Sequence, residues 1–226
     1  MPETWAHRAD LAESAVTERH AQKLWGMPKT NLAVVTWPPG PKDRAFWHWH
    51  YWWQAQYLDC QVDATWRRPT KTRRRRIANT LRTVQRRNRG RLTRNQYYDD
   101  KAWLALAWDR ASQLPRENGK TTVKRPRALQ DLEFDLLAGI DPVVGVLPWR
   151  AGETFYNIPS NATAAMVFAR TGRLDKAREI VDWIFDSLVR EDGLLSDGIR
   201  MRMSGPEVVD KVYTYNQGTA LGASLE

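Results

Sequence analysis

The chain has 226 residues, a net charge of +9 at neutral pH, twelve tryptophans and one cysteine. This length suffices for one domain with a sizeable core. The single cysteine excludes an internal disulfide, and no stretch has the 18 apolar residues that would indicate a membrane-spanning helix. The charged N-terminal segment lacks the apolar region of a signal peptide, so we expect a cytoplasmic protein.

Helical patterns follow one another along the chain. The first half predicts helices at 5–25, 45–64, 71–88 and 97–113, with the proline-rich loop TWPPGPKD between the first two. The second half predicts helices at 126–138, 160–170, 171–189 and 213–226. A loop with short strands at 138–159 and an irregular connection at 190–212 separate them. About eight helices without clear strand alternation predict an all-α fold.

The basic charge is concentrated in one segment. Residues 67–94 contain thirteen lysines and arginines and no acidic residue, and the total of +9 less these thirteen leaves −4 for the rest. Ile77, Leu81 and Val84 form an ordinary apolar stripe, which predicts a helix whose arginines face solvent. Nucleic-acid binding and attraction of anionic lipid-linked glycans are the alternatives. Nucleic acid is less favoured because no aromatic side chain is interleaved with the charges.

Two adjacent aspartates, Asp99 and Asp100, stand directly before an apolar helical pattern in YYDDKAWLALAW. One aspartate is enough to cap a helix, so capping with a favourable dipole contribution is one explanation of the pair. A metal site is a second explanation, but no histidine or third carboxylate lies at ligand spacing. A third is a pair of carboxylates that share a reaction. The helix N-terminus favours one anion, and that anion raises the pKa of its neighbour.

The segment YYDDKAWLALAW resembles the signature of glycoside hydrolase family 76, the endo-acting α-1,6-mannanases. Further segments match in the same order: YWWQAQYLDCQVDA, FYNIPSNATAAMVFARTG, AREIVDWIFDSLVREDGLLSDGI and YTYNQGTALGASLE. The resemblance implies an (α/α)6 toroid and retaining hydrolysis of α-1,6-mannosidic linkages, with Asp99 as nucleophile and Asp100 as general acid/base. The implied partner is α-mannan or a manno-oligosaccharide, and no cofactor or metal is implied.

Other polar and aromatic residues in the matching segments are predicted to bind the sugar. They are Tyr98, Trp52, His48, Asn157, Asn161, Asp197, Tyr215, Asn216 and Gln217. Local roles compete with this prediction: helix capping for Asn157, and an Asx-turn before Gly198 for Asp197. Amides that are buried must find partners, either each other or the substrate.

The aromatic segment FWHWHYWWQAQY predicts two different faces. Trp49, Trp53 and Tyr57 recur at every fourth position, which predicts a buried stripe. Trp52 and His48 near the helix start are expected to meet substrate, because an aromatic ring suits the apolar C–H face of a pyranose. The histidines are expected to form hydrogen bonds rather than to ligate metal, since only two other histidines occur in the chain.

A complete toroid of this family has twelve helices, so we expect residues 1–226 to form a single toroid domain that lacks the C-terminal part. An open toroid face would expose apolar surface, and we therefore expect self-association through it. Two alternative functions stay open. One is a carbohydrate-binding protein with the same cleft and little catalysis, and the other is a basic helical protein that binds nucleic acid.

Overall fold

The computed structural model describes residues 4–115 and 126–226, and within them it contains nine α-helices and two small antiparallel sheets. The described chain divides into two compact units. The first comprises residues 4–94, 107–115 and 126, and the second comprises 95–106 and 127–226. None of the helices in these residues is both long enough and apolar enough to cross a membrane.

The first unit is mainly helical. It contains α1 (Trp5–His20), β1 (Ala21–Gln22), β2 (Leu32–Ala33), α2 (Pro41–Arg44), α3 (Tyr51–Arg67) and α4 (Lys71–Arg87), with 3-10 turns at Leu24–Gly26 and Leu92–Arg94. Helix α3 packs against both α1 and α4. Thr70 caps α4 by accepting a hydrogen bond from the Arg73 N–H, which explains why the helix begins where the sequence predicts.

The aromatic stripe predicted for α3 is wrong. Helix α3 begins at Tyr51 rather than at residue 45, because Phe46 and His50 adopt left-handed backbone conformations (φ 52° and 36°) that an α-helix does not contain. Tyr57 is buried as predicted, but the Trp53 side chain is 38% exposed. Trp49 lies before the helix. The helix therefore buries a face different from the one that the tryptophan spacing indicated.

The prediction that the arginines of α4 face solvent is wrong for Arg73. Ile77 and Val84 are buried as predicted, and Arg73 is buried beside them. Its guanidinium group forms ion pairs with Asp10 and Glu13 of α1. A buried cation is tolerated only when it is paired and hydrogen-bonded, so this arginine joins α4 to α1.

The second unit is centred on one buried helix. It contains the first part of α5 (Tyr98–Ser112), followed by α6 (Arg127–Ala138), β3 (Phe155–Asn157), α7 (Ile158–Arg170), α8 (Leu174–Leu188), β4 (Gly198–Arg202), β5 (Gly205–Val209) and α9 (Thr214–Leu225). Every residue of α7 from Ile158 to Phe168 is buried, and α7 packs against α8 and α9. A helix that is buried on all sides forms the core of its unit.

The connection at 190–212, predicted to be irregular, contains a β-hairpin. Strands β4 and β5 pair antiparallel from Gly198↔Val209 to Arg202↔Gly205, and β4 also pairs with β3. The hairpin side chains lack a regular alternation of buried and exposed positions, so the sequence carries no period-two signal. Pairing with β3, which lies far away in the sequence, extends the hairpin into a sheet. The short strands predicted at 138–159 are confirmed by β3.

Candidate active site

The start of α5 is held by a neighbouring segment of the second unit. The Tyr98 N–H donates to the Trp149 carbonyl at 3.2 Å, and the Ala151 N–H donates to the Gln96 carbonyl at 2.9 Å. The rings of Tyr97 and Trp149 lie with their centroids 5.0 Å apart. These contacts fix the position at which the helix starts, and with it the two aspartates of its first turn.

Asn161 in turn holds the segment that carries Trp149. Its side-chain oxygen accepts a hydrogen bond from the Leu147 N–H at 2.8 Å, and its Nδ2 donates to the Leu147 and Asn157 carbonyls at 2.8 and 2.9 Å. Asn161 is fully buried, and Asn157, also buried, caps α7 by accepting from the Ser160 N–H. Backbone groups engage both ends of the Asn161 amide, which holds this segment in place, but only the Oδ1 of Asn157. Sugar binding by these two asparagines stays a prediction.

Asp99 and Asp100 lie side by side in the first turn of α5, and both are partly buried. Burial, reinforced by the charge of Asp100, raises the pKa of Asp99 to about 7, and a hydrogen bond from Trp149 opposes this rise. Burial also raises the pKa of Asp100 to about 6, while a hydrogen bond from Asn95 and the charge of Lys101 act in the opposite direction. Both carboxyl groups therefore titrate near neutral pH.

Two polar side chains that the sequence analysis did not single out surround Asp100. Asn95 Nδ2 donates to Asp100 Oδ2 at 2.7 Å. Lys101 is only 2% exposed and pairs with Asp135, with 2.5 Å between Lys101 Nζ and Asp135 Oδ2. Burial lowers the pKa of Lys101, an effect that the hydrogen bond to Asp135 opposes. Asn95 lies outside the helix and carries no motif signal, and only the turn at 95–97 brings it to the carboxylate.

Tyr98, predicted to bind substrate, is buried and supports the helix start. Its ring packs against Gly139 so closely that a Cβ atom at position 139 would lie 2.3 Å from Tyr98 Cε1. The Lys101 ammonium group lies 3.8 Å from the centroid of the same Tyr98 ring. Burial raises the pKa of the Tyr98 hydroxyl, and the charge of Asp135 adds to the effect. Sugar binding by Tyr98 stays a prediction.

A second polar group forms where α9 begins. Asn216 Nδ2 donates to Asp197 Oδ1 at 2.8 Å, whereas the buried Oδ1 of Asn216 has no hydrogen-bond partner among the described residues. Burial raises the pKa of Asp197, opposed by this hydrogen bond from Asn216. Burial, together with the charges of Asp197, Tyr213 and Asp99, raises the pKa of Tyr215 to about 12. Tyr215 thus lies within electrostatic reach of both Asp197 and Asp99.

The remaining predicted site residues are Gln217, whose side chain is hydrogen-bonded, and His48 and Trp52, which are exposed. Gln217 accepts from the Leu195 N–H and donates to the Leu195 carbonyl, both at 2.9 Å, so its amide holds the start of α9 rather than pointing freely to solvent. His48 and Trp52 are exposed residues of the first unit. Trp52 forms an edge-on contact with Trp53, with 5.3 Å between the ring centroids. Sugar binding by His48 and Trp52 stays a prediction.

A helical scaffold that holds two neighbouring, partly buried carboxyl groups with raised pKa values has the chemistry of a glycoside hydrolase with a carboxylate pair. Residues 9–226 match the description Glycosyl hydrolase family 76, and the chain belongs to that family. The predicted family is confirmed. A comparison with curated proteins found no match.

Solved structures of this family share the fold. The α-1,6-mannanase of Salegentibacter sp. has a TM-score of 0.78 at 22% identity, over 98% of this chain and 63% of its own. A second structure is an inactive variant of that enzyme with α-1,6-mannotriose bound, in which two consecutive aspartates are replaced by asparagine. It has a TM-score of 0.78 at 21% identity, again over 98% of this chain and 63% of its own. A Listeria innocua protein has a TM-score of 0.79 at 23% identity, over 99% of this chain and 64% of its own.

These likenesses confirm the predicted fold class. The chain is mostly helical and corresponds to part of the (α/α)6 toroid of its relatives. It spans about 63% of the length of the mannanase structures that it matches. At these levels of identity the likeness shows the fold alone.

Proposed function

We propose that this family 76 chain hydrolyses α-1,6-mannosidic linkages in mannan by a retaining mechanism that uses Asp99 and Asp100. The observation that carries the proposal is the pair itself. With pKa values of about 7 and about 6, the two carboxyl groups together hold about one proton near neutral pH. One ionised and one protonated carboxyl group is the state that the reaction requires. The structurally similar mannanase whose inactive variant replaces two consecutive aspartates supports the assignment.

The two aspartates take different roles in each half of the reaction. Asp99 attacks the anomeric carbon and forms a covalent glycosyl ester, while Asp100 gives its proton to the glycosidic oxygen, which leaves as an alcohol. In the second half, Asp100 takes a proton from water as the water oxygen attacks the anomeric carbon. The ester bond breaks in the same step, and Asp99 is released as a carboxylate.

Catalysis requires the shared proton on Asp100 and the anion on Asp99. In the free protein the two coupled carboxyl groups share about one proton near neutral pH. A sugar bound with its electron-poor anomeric carbon against Asp99 favours the Asp99 anion. The proton then passes to Asp100, where the general acid needs it. Substrate binding, in this proposal, completes the catalytic state.

Asp197, Tyr215 and Asn216 supply the polar wall that we assign to the sugar hydroxyl groups. Tyr215 is 52% exposed and lies within reach of the Asp99 charge, so its hydroxyl is available to a bound sugar. The Asp197 carboxylate is oriented by Asn216 and offers a further acceptor. Carboxylate and phenol groups held in this way can orient a pyranose ring over the aspartate pair.

Incubation of the full chain with unbranched α-1,6-mannan tests the proposal. We expect short manno-oligosaccharides, detected by mass spectrometry, and retention of the α-configuration, detected by NMR of the first-formed product. Because the chain spans about 63% of its mannanase relatives, a binding measurement accompanies the assay. Mannan binding without product release would favour the carbohydrate-binding alternative. Salt-sensitive nucleic-acid binding with neither mannan binding nor release would favour the third alternative.

A further inference from the structure

Four exposed arginines follow one another at the end of α4, in a segment that we call the arginine turn: Arg86, Arg89, Arg91 and Arg94. Within residues 4–115 and 126–226, the structure gives none of these four side chains a hydrogen bond or an ion pair. Other arginines of the same basic segment are used differently, since Arg67, Arg73 and Arg76 all pair with carboxylates of α1. The arginine turn therefore presents exposed cations, unpaired among the described residues, at the C-terminal end of α4, as Lys71 and Arg75 do near its N-terminal end.

The arginine turn places an arginine at a backbone position where a helix end usually has glycine. Arg89 has a φ of 53° and Gly90 a φ of 76°, so two consecutive residues adopt the left-handed conformation. Glycine is favoured after a helix end because it has no Cβ, whereas arginine is disfavoured there. Cations in the last turn do benefit from the helix dipole, which accounts for Arg86. It does not account for Arg91 and Arg94, which lie beyond the helix.

An aromatic segment, residues 46–51, lies beside the arginine turn and is partly exposed. The Arg87 guanidinium group donates to the Phe46 carbonyl at 3.3 Å and lies 5.3 Å from the centroid of the Trp49 ring. The Tyr51 hydroxyl donates to the Leu92 carbonyl at 3.2 Å. These contacts bring residues 46–51 next to the turn. Trp47, in the same segment, is 74% exposed.

The charge of this surface is almost entirely positive. Lys42 and Arg44 precede the aromatic segment and are exposed. Asp43, the one acidic residue in 41–51 and 86–94, is engaged by the Thr36 hydroxyl and the Gly40 N–H. Residues 41–51 and 86–94 therefore expose six cations and the indole ring of Trp47, while their one carboxylate is already engaged.

We propose that the arginine turn and Trp47 bind a polysaccharide that carries phosphate groups, so that the substrate class is a phosphate-substituted mannan. This inference rests on the proposed function. Phosphate accepts charge-assisted hydrogen bonds from several guanidinium groups together, and the indole ring covers the apolar face of a neighbouring sugar. Each exposed charge contact is weak by itself, so preference arises from several contacts along one polymer.

Binding is measured by calorimetry with the full chain carrying Asp99→Asn and Asp100→Asn, so that no substrate is consumed. The probes are a phosphorylated α-mannan and the same preparation after chemical dephosphorylation. At low salt, about 50 mM, we expect the phosphorylated form to bind about tenfold more tightly, with a preference that shrinks as salt rises. Equal affinity for the two preparations would overturn the proposal.

Two double variants that each remove two exposed charges locate the effect. Arg86→Gln/Arg91→Gln should lose most of the preference for phosphorylated mannan, whereas Lys71→Gln/Arg75→Gln at the other end of α4 should keep it. Equal losses in both would show a general charge effect and overturn the assignment to this surface. Arg89→Gly is a further variant that should weaken phosphorylated-mannan binding without lowering the melting temperature, because glycine suits this backbone conformation.

A single-stranded DNA oligonucleotide at equal phosphate concentration is the competing probe. Displacement of phosphorylated mannan by a DNA that binds more tightly would assign the surface to nucleic acid and overturn the proposal. Hydrolysis of neutral α-1,6-mannan by the unsubstituted chain reports separately on the proposed function. The phosphate preference is a ratio of two affinities, so it stands or fails independently of that assay.

Discussion

The side-chain amide of Asn95 donates a hydrogen bond of 2.7 Å to Asp100 Oδ2. Its orientation is fixed, because Asn95 Oδ1 accepts from the Tyr97 N–H at 3.0 Å and the NH₂ group must then face the carboxylate. A donor aimed at Asp100 stabilises its anion and lowers the pKa of Asp100, against the rise that burial causes. Asn95 therefore favours the ionised form of Asp100.

Replacing Asn95 by alanine should raise the pKa of Asp100 above about 6, toward that of Asp99. Carboxyl ¹³C NMR titration of labelled aspartate measures this directly and needs no activity. Gln96→Ala is the matched control, because the Gln96 side chain bonds Arg150 instead of an aspartate. An unchanged Asp100 titration in Asn95→Ala would show that this hydrogen bond does not control the pair.

Removing either carboxylate should reveal its role. We expect Asp99→Ala and Asp100→Ala each to lower mannan hydrolysis by about a thousandfold or more, since the two groups act as a unit. Azide added with an activated α-mannoside should restore turnover in both variants. It should yield the β-mannosyl azide with Asp99→Ala, where azide replaces the nucleophile. It should yield the α-azide with Asp100→Ala, where the covalent intermediate still forms.

An α-azide from Asp99→Ala and a β-azide from Asp100→Ala would show that Asp100 is the nucleophile and Asp99 the general acid/base. Near-normal hydrolysis in both variants would reduce the aspartates to helix caps. Loss of a helix cap costs only about 0.5–2 kcal/mol, so we expect both variants to stay folded. Circular dichroism of the same samples checks that their helical content is unchanged.

The raised pKa of Asp99 has a consequence for stability. Its folded-state pKa of about 7 exceeds the ordinary value of 3.8, so the folded protein binds more protons than the unfolded chain between these values. The free energy of unfolding should therefore fall as pH rises through this window. Asn cannot ionise, so Asp99→Asn should be more stable than the parent by about 1–2 kcal/mol at pH 8 and equal to it near pH 4. Urea denaturation at both pH values is the measurement, and a variant destabilised equally at both would contradict it.

Gly139 should not accept any side chain. A Cβ atom there would lie 2.3–2.6 Å from the Tyr98 ring and hydroxyl, which are themselves packed at the start of α5. We expect Gly139→Ala to lower the free energy of unfolding by about 1–3 kcal/mol, as overpacking does. Gly218→Ala is the control in α9, where a Cβ meets nothing within 4 Å and alanine favours the helix. Equal effects of the two substitutions would contradict the close packing at Tyr98.

Arg73 and Arg75 are neighbours on α4 with opposite surroundings. Arg73 is buried and pairs with Asp10 and Glu13, whereas Arg75 is exposed. Arg73→Gln should lower the free energy of unfolding by about 1–3 kcal/mol, because it removes the buried charge-assisted hydrogen bonds to Asp10 and Glu13. Arg75→Gln should change it by less than about 0.5 kcal/mol. Thermal denaturation of the two variants separates a structural arginine from a solvated one, and similar melting temperatures would rule out the ion-pair role.

Local sequence signals predicted most of the helices and the aspartate pair. The apolar stripe of Ile77 and Val84 and the cap at Thr70 are properties of neighbouring residues, so α4 lies where the sequence places it. The motif YYDD likewise placed both carboxylates at the start of α5, since a helix start depends on local capping and charge. The family resemblance was carried by the same short segments, and the match over residues 9–226 confirms it.

Only the tertiary structure decided what surrounds those elements. Hairpin pairing with β3, the ion pairs of Arg73 and the approach of Trp149 to Asp99 all join residues that lie far apart in the chain. Periodicity in the sequence reports which face of an element is apolar, but it does not report which partner covers that face or desolvates a charge. The chain alone therefore determined that two aspartates open a helix. Burial among distant residues decided their pKa values, because desolvation depends on the full packed environment.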